Sequence, residues 1–160
     1  MNLLVADEAW LATALLHREH PQAEDFGLEE IRERAVKEFH DRRPGVWQHI
    51  VSHGVASNPP NPAQYRMLHS SARGRRRLYR QGDPLHPRRK GKIYPDKRDI
   101  PERYRPLVDW YLTEYNVAGG RGSSSPAALL AFVGLIPAYD LGKMSDAIAS
   151  GCERVDASEW

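Results

Sequence analysis

A chain of 160 residues has room for one core plus an appended segment, which excludes two large domains. Its 23 Lys and Arg against 21 Asp and Glu leave a formal charge of only +2, yet residues 1–30 carry net −6 while residues 65–106 hold 14 cations against 4 acids, net +10. Such asymmetry marks an anionic partner better than the total does, whether DNA, RNA, an acidic protein surface or anionic lipid.

The single cysteine, Cys152, excludes an intramolecular disulfide and a thiolate metal cluster and fits a reducing compartment. Asp7 and Glu8 stand where a secretory leader would be basic, and no apolar run approaches the roughly 18 residues of a spanning helix, so a cytoplasmic protein away from membranes is expected.

In chain order, residues 7–20 present Ala9, Trp10, Ala12, Ala14, Leu15 and Leu16 on a broad apolar stripe that stops at Pro21, which predicts a first helix. Residues 24–28 suit only a brief strand. Leu28, Ile31, Ala35 and Phe39 then recur at three and four residues, an amphipathic second helix over 28–40. Pro44 and Gly45 interrupt the pattern, and a third helix is expected over 46–57 with Val46, Ile50, Val51 and Val55 inward. The Asn58-Pro59-Pro60-Asn61-Pro62 run opposes regular structure. Residues 65–80 alternate polar and apolar around Ala72-Arg73-Gly74 and carry six arginines, the pattern of a basic hairpin. The stretch 82–100, with three prolines up to Pro95 and a fourth, Pro101, at its border, is expected to be an extended arm lying on the domain. Tyr104, Leu107, Val108, Tyr111, Leu112 and Tyr115 give a supporting helix over 101–116. Residues 118–126 read as a Gly/Ser linker, and 127–160 as a small helical tail.

This order of helix, short strand, helix, turn, helix and hairpin over residues 7–80 resembles a winged helix-turn-helix domain. The fold class expected is therefore α+β, mainly α, a winged helix with a C-terminal helical extension and a principal domain over 1–117. The resemblance implies double-stranded DNA binding, with the third helix in the major groove and the wing on the backbone. Gln48 suits bidentate reading of adenine, with His49, Ser52 and His53 reaching bases or phosphates. Arg73, Arg75, Arg76 and Arg77 would supply phosphate contacts, and Arg66, Arg80, Arg88, Arg89, Lys90 and Lys92 would extend the basic surface.

The segment 140–160, through Met144, Ala147, Ile148, Gly151, Cys152, Glu153, Val155, Asp156, Glu159 and Trp160, is similar to the ends of small bacterial antitoxins. That resemblance implies a toxin or other protein partner docking on Met144, Ile148, Val155 and Trp160, in an autoregulatory DNA-binding protein. A homodimer would match a palindromic site.

Two other functions remain open. The winged helix would serve as a protein-interaction scaffold, since one fold hosts unrelated functions. Alternatively, Asp83, Asp96, Asp99 and Glu102 would hold a divalent ion in a nuclease. His49 and His53 stand four residues apart, but Ile50 replaces the glutamate of a metalloprotease helix. No phosphate-binding glycine motif occurs, and the expectation is a non-enzyme without metal or cofactor.

Overall fold

The computed structural model describes residues 3–40, 43–61 and 63–117. The expected linker at 118–126 and tail at 127–160, with Met144, Ile148, Val155 and Trp160, lie outside the described residues.

Helix α1 (Val5–Glu19) is the central element. Its apolar residues do not keep to one face: Trp10, Leu11 and Ala14 enter one hydrophobic cluster, while Ala9, Ala12 and Leu16 enter another. A helix apolar all round is one buried all round. Helix α2 (Leu28–Phe39) packs Ile31 and Ala35 into the second cluster. Its first turn is capped by Glu30, whose carboxylate accepts the Gly27 N–H at 2.5 Å. The helix ends where His40 adopts the left-handed region at φ 54°, its N–H donating to the Val36 carbonyl.

Pro44 occupies the first turn of α3 (Pro44–Gln48), where the missing N–H costs nothing. The helix continues as a π-helical turn, His49–His53. It thus begins two residues before the expected start and ends well before residue 57. The Gly54 N–H closes it on the His49 carbonyl at 2.9 Å, and Val55 leaves to form an isolated parallel bridge with Leu68.

Strands β1 (Phe26–Gly27), β2 (Leu68–Ala72) and β3 (Arg75–Leu78) form one antiparallel sheet in the order β1-β3-β2. The tip is Arg73-Gly74, with Gly74 at φ 73°, a conformation strained for any residue with a Cβ. A register shift between Ser70 and Ala72 bends the hairpin next to this tip. The hairpin is shorter than the expected 65–80, and its alternation fails, because Arg76, Arg77, Leu78 and Tyr79 are all buried in succession. β3 is the central strand, with Arg76 turned to the third helix and Arg77 turned to Asp83. Both of its faces are covered, so neither can be the solvent face that alternation requires.

The arm at 82–100 lies on this frame. The His86 N–H donates to the Ala56 carbonyl, the Gly91 N–H to that of Gln64, and the Arg66 N–H to that of Lys92. The arm delivers Ile100 to the core and leads through a 3-10 turn, Glu102–Tyr104, into α4 (Arg105–Trp110) and a second π-helical turn, Tyr111–Tyr115. Tyr104, Val108, Tyr111 and Tyr115 join the cluster containing Trp10, with Tyr111 edge-on to the indole at 5.4 Å. The domain is therefore mixed α+β, mainly helical, with a small antiparallel sheet. No helix among the described residues is long and apolar enough to cross a membrane.

Candidate nucleic-acid interface

The third helix leaves Gln48 exposed, free of any side-chain hydrogen bond within the described residues. Its neighbours are more engaged. His49 is half-buried, its Nδ1 lies 3.0 Å from the Gly45 carbonyl, and its ring packs against Tyr65 and His53. Burial, ahead of any charge, pushes the His49 pKa down, so this ring is held neutral near pH 7. The Ser52 hydroxyl donates back to the Gln48 carbonyl at 3.3 Å. The four residues thus share one short helix without all facing solvent.

A helix leaves its last four carbonyls without intrahelical partners. Here two arginines take them. Arg76 donates from Nε to the Ile50 carbonyl (3.2 Å) and from Nη2 to that of Val51 (3.1 Å). Arg89 donates from Nη2 to the Ser52 carbonyl (3.1 Å) and from Nη1 to that of His53 (2.8 Å). Arg89 also reaches the carbonyls of Asn58, Pro59 and Tyr65, and is only 2% exposed. Burial lowers the pKa of both groups, but from a reference so high that both stay cationic. Their positive charge sits where the helix dipole is negative.

The other hairpin cations are mostly paired as well. Arg75 holds Asp25, which also accepts the Ser71 hydroxyl at 2.6 Å, tying the hairpin to the segment before β1. Arg77 forms a bidentate pair with Asp83 at 2.8 and 2.7 Å. Burial works to raise the Asp83 pKa, but the Arg77 bonds and charge outweigh it and hold the carboxyl below its usual value. Arg66 donates to the Gly91 carbonyl at 2.8 Å. Lys92 lies 2.7 Å from the fully buried Asp7 in the first turn of α1, whose pKa burial raises despite that partner. Arg80 stacks its guanidinium 4.2 Å from the Tyr115 ring centroid.

Three cations of the expected set therefore stand exposed with no side-chain hydrogen bond or ion pair among the described residues: Arg73 at the hairpin tip, and Arg88 and Lys90 on either side of Arg89. Because Arg89 is anchored to the end of the third helix, its two neighbours emerge beside that end.

The acids considered for a nuclease are dispersed in function. Asp83 serves Arg77 and Asp96 serves Arg98, while the described residues bring together no group of three or more His, Cys, Asp or Glu able to hold a metal. Asp25 and Asp7 instead hold cations 50 and 85 residues away. A lone acid before a strand or in a helix's first turn carries no signal of so distant a cation. A cavity joins the end of α1 to the turn after α4. Comparison with protein-family models, with curated proteins and with solved structures gives no match for this chain.

Proposed function

We propose that residues 5–78 form a winged helix-turn-helix that binds double-stranded DNA, with Gln48 entering the major groove and Arg73 resting on phosphate. The observation that carries this reading is topological. Three helices are interleaved with a three-stranded sheet in the order β1-β3-β2, and the β2–β3 tip projects an unpaired arginine. Exposed Gln48 on the third helix supports it, since a glutamine can pair with adenine through both a donor and an acceptor. Transcriptional regulation is the role such a module would serve. Autoregulation by an antitoxin-like protein would further require a partner docked on the tail.

The unpaired cations set the expected salt dependence. Each phosphate neutralised contributes about 0.9 to the logarithmic slope on duplex DNA, so Arg73, Arg88 and Lys90 together give a slope of about −3 per subunit. The test is selection of bound fragments from a random duplex pool at two salt concentrations, followed by anisotropy titrations of Arg73→Ala and of the triple Ala variant at 73, 88 and 90. Arg73→Ala is expected to weaken binding across all sequences and to lower the slope by about 0.9. Equal affinity and equal slope for the triple variant and the parent would overturn the assignment.

One observation favours a second reading, the winged helix as a protein-interaction scaffold. Arg75, Arg76, Arg77 and Arg89 are engaged within the fold, which leaves less cationic surface than the sequence carries. A folded chain that retains no duplex at low salt would select it.

A further inference from the structure

Between the C-terminal end of α1 and the π-helical turn after α4 lies a cavity of about 410 Å³, lined by His17, Arg18, Pro21, Ala23, Arg80, Trp110, Glu114 and Tyr115. That volume lies within the range of small-molecule sites. Two of its guanidinium groups lack an acidic partner. Arg80 lies 4.2 Å from the centroid of Tyr115 and Arg18 lies 5.5 Å from that of Trp110, and neither makes a side-chain hydrogen bond or ion pair with the described residues. The Arg80 Nε is buried without a hydrogen-bond partner. That nitrogen is closed to the cavity, so it is the terminal nitrogens of the half-buried Arg80 that are left for a ligand.

We propose that this cavity binds a small organic monocarboxylate with a planar apolar body, held by Arg18 and Arg80. A guanidinium resting on an aromatic face keeps its edge for a carboxylate, to which it can donate two parallel bonds. Trp110, Pro21 and Ala23 supply an apolar wall for the ligand body. Charge fixes the stoichiometry of the anion. The lining carries two guanidinium groups against one carboxylate, Glu114, leaving room for one negative charge and opposing a second. His17 adds no charge of its own: burial first, then Arg80 and Arg77, push its pKa down to about 4. Its Nε2 lies 3.1 Å from the Tyr115 hydroxyl, which also reaches the Leu78 carbonyl at 3.3 Å, and these contacts fix the ring forming the cavity floor. The site is independent of DNA binding, since none of its residues belongs to the third helix or the wing tip.

The test is calorimetric titration of the full chain at pH 7 and low salt with benzoate, salicylate and indole-3-acetate. Benzamide serves as a neutral isostere of benzoate, phthalate as a dianion and inorganic phosphate as a non-carboxylate anion. At least one monocarboxylate is expected to saturate at one site per chain, with the neutral isostere, the dianion and phosphate each at least tenfold weaker. Arg80→Gln is expected to weaken that binding at least tenfold. Arg18→Gln, at an exposed position whose replacement leaves the core intact, is expected to weaken it several-fold at an unchanged melting temperature. No saturable binding by any of the three monocarboxylates overturns the proposal. So does benzamide binding as tightly as benzoate, phosphate or phthalate binding more tightly, or monocarboxylate affinity unchanged in Arg18→Gln.

Discussion

Arg89 separates a phosphate contact from a structural pin, and the two roles predict opposite outcomes for Arg89→Met. As a pin, the side chain places five donor–acceptor contacts of 2.6 to 3.1 Å on the carbonyls of Ser52, His53, Asn58, Pro59 and Tyr65 while only 2% exposed. Methionine keeps the apolar stem but removes every one of these donors, while the Ser52 carbonyl keeps the Val55 N–H at 3.2 Å. A buried carbonyl that loses its partner costs about 1–3 kcal/mol. Because the five belong to one network their losses do not add, and water recovers the outermost, so a total of about 3–5 kcal/mol is expected. For a chain of this size that lowers the melting temperature by about 10–20 °C. Lysine retains the charge but offers at most three donors from one point, so Arg89→Lys should fall between parent and Met variant. Urea unfolding followed by circular dichroism of the full chain, parent against both variants, measures the difference. Were Arg89 instead a surface phosphate contact, the Met variant would unfold within about 0.5 kcal/mol of the parent. Retained stability with lost duplex affinity would refute the pin.

Two further perturbations probe the frame. His17 is held neutral with its pKa lowered from 6.5 to about 4, so the unfolded chain takes up its proton before the folded one does. The stability it contributes is complete above pH 6.5 and is lost as pH falls toward 4, by up to about 3 kcal/mol. The unfolding free energy of the parent minus that of His17→Gln should therefore shrink across that window, and a difference independent of pH would count against a neutral buried ring. Gly91 lies where an added Cβ would stand 2.5 Å from the Gln64 carbonyl oxygen and 2.9 Å from the Tyr65 nitrogen, both of them backbone. Gly91→Ala should thus lift the arm and destabilise the fold by about 1–3 kcal/mol, measured by thermal melting, with loss of protection of the Arg66 and Gly91 amides in hydrogen exchange.

The elements were legible where local chemistry decides them. The spacing of Leu28, Ile31, Ala35 and Phe39 marks α2 and Gly74 marks the tip of the hairpin, whereas Pro44, expected in the turn before the third helix, opens α3 itself. The fate of the arginines was not legible, because it depends on partners far along the chain. Arg89 finds carbonyls 24 to 37 residues away, and Arg75 finds an acid 50 residues away. A run of like charges describes composition; whether a guanidinium faces solvent or a helix end is settled only when the core has closed. Alternation misled for a related reason. It identifies a strand with one wet face, whereas β3 is covered on both, and its arginines enter the interior because carbonyls and Asp83 await them there. The cavity beside His17 draws its walls from residues 17–23 and 110–115, joined by tertiary packing that no local motif announces.

The pair of guanidinium groups at the end of the third helix alters the electric field outside the protein as well as the bonding inside it. A bare helix C-terminus carries about half a negative charge and repels an approaching polyanion. With Arg76 and Arg89 seated on its last four carbonyls, the same end presents a net positive charge of about 1.5. Neither side chain need move to be felt, for a fixed charge acts over about a Debye length, roughly 8 Å at physiological ionic strength. Arg88 and Lys90 would then meet an anion already drawn inward by two cations it never touches.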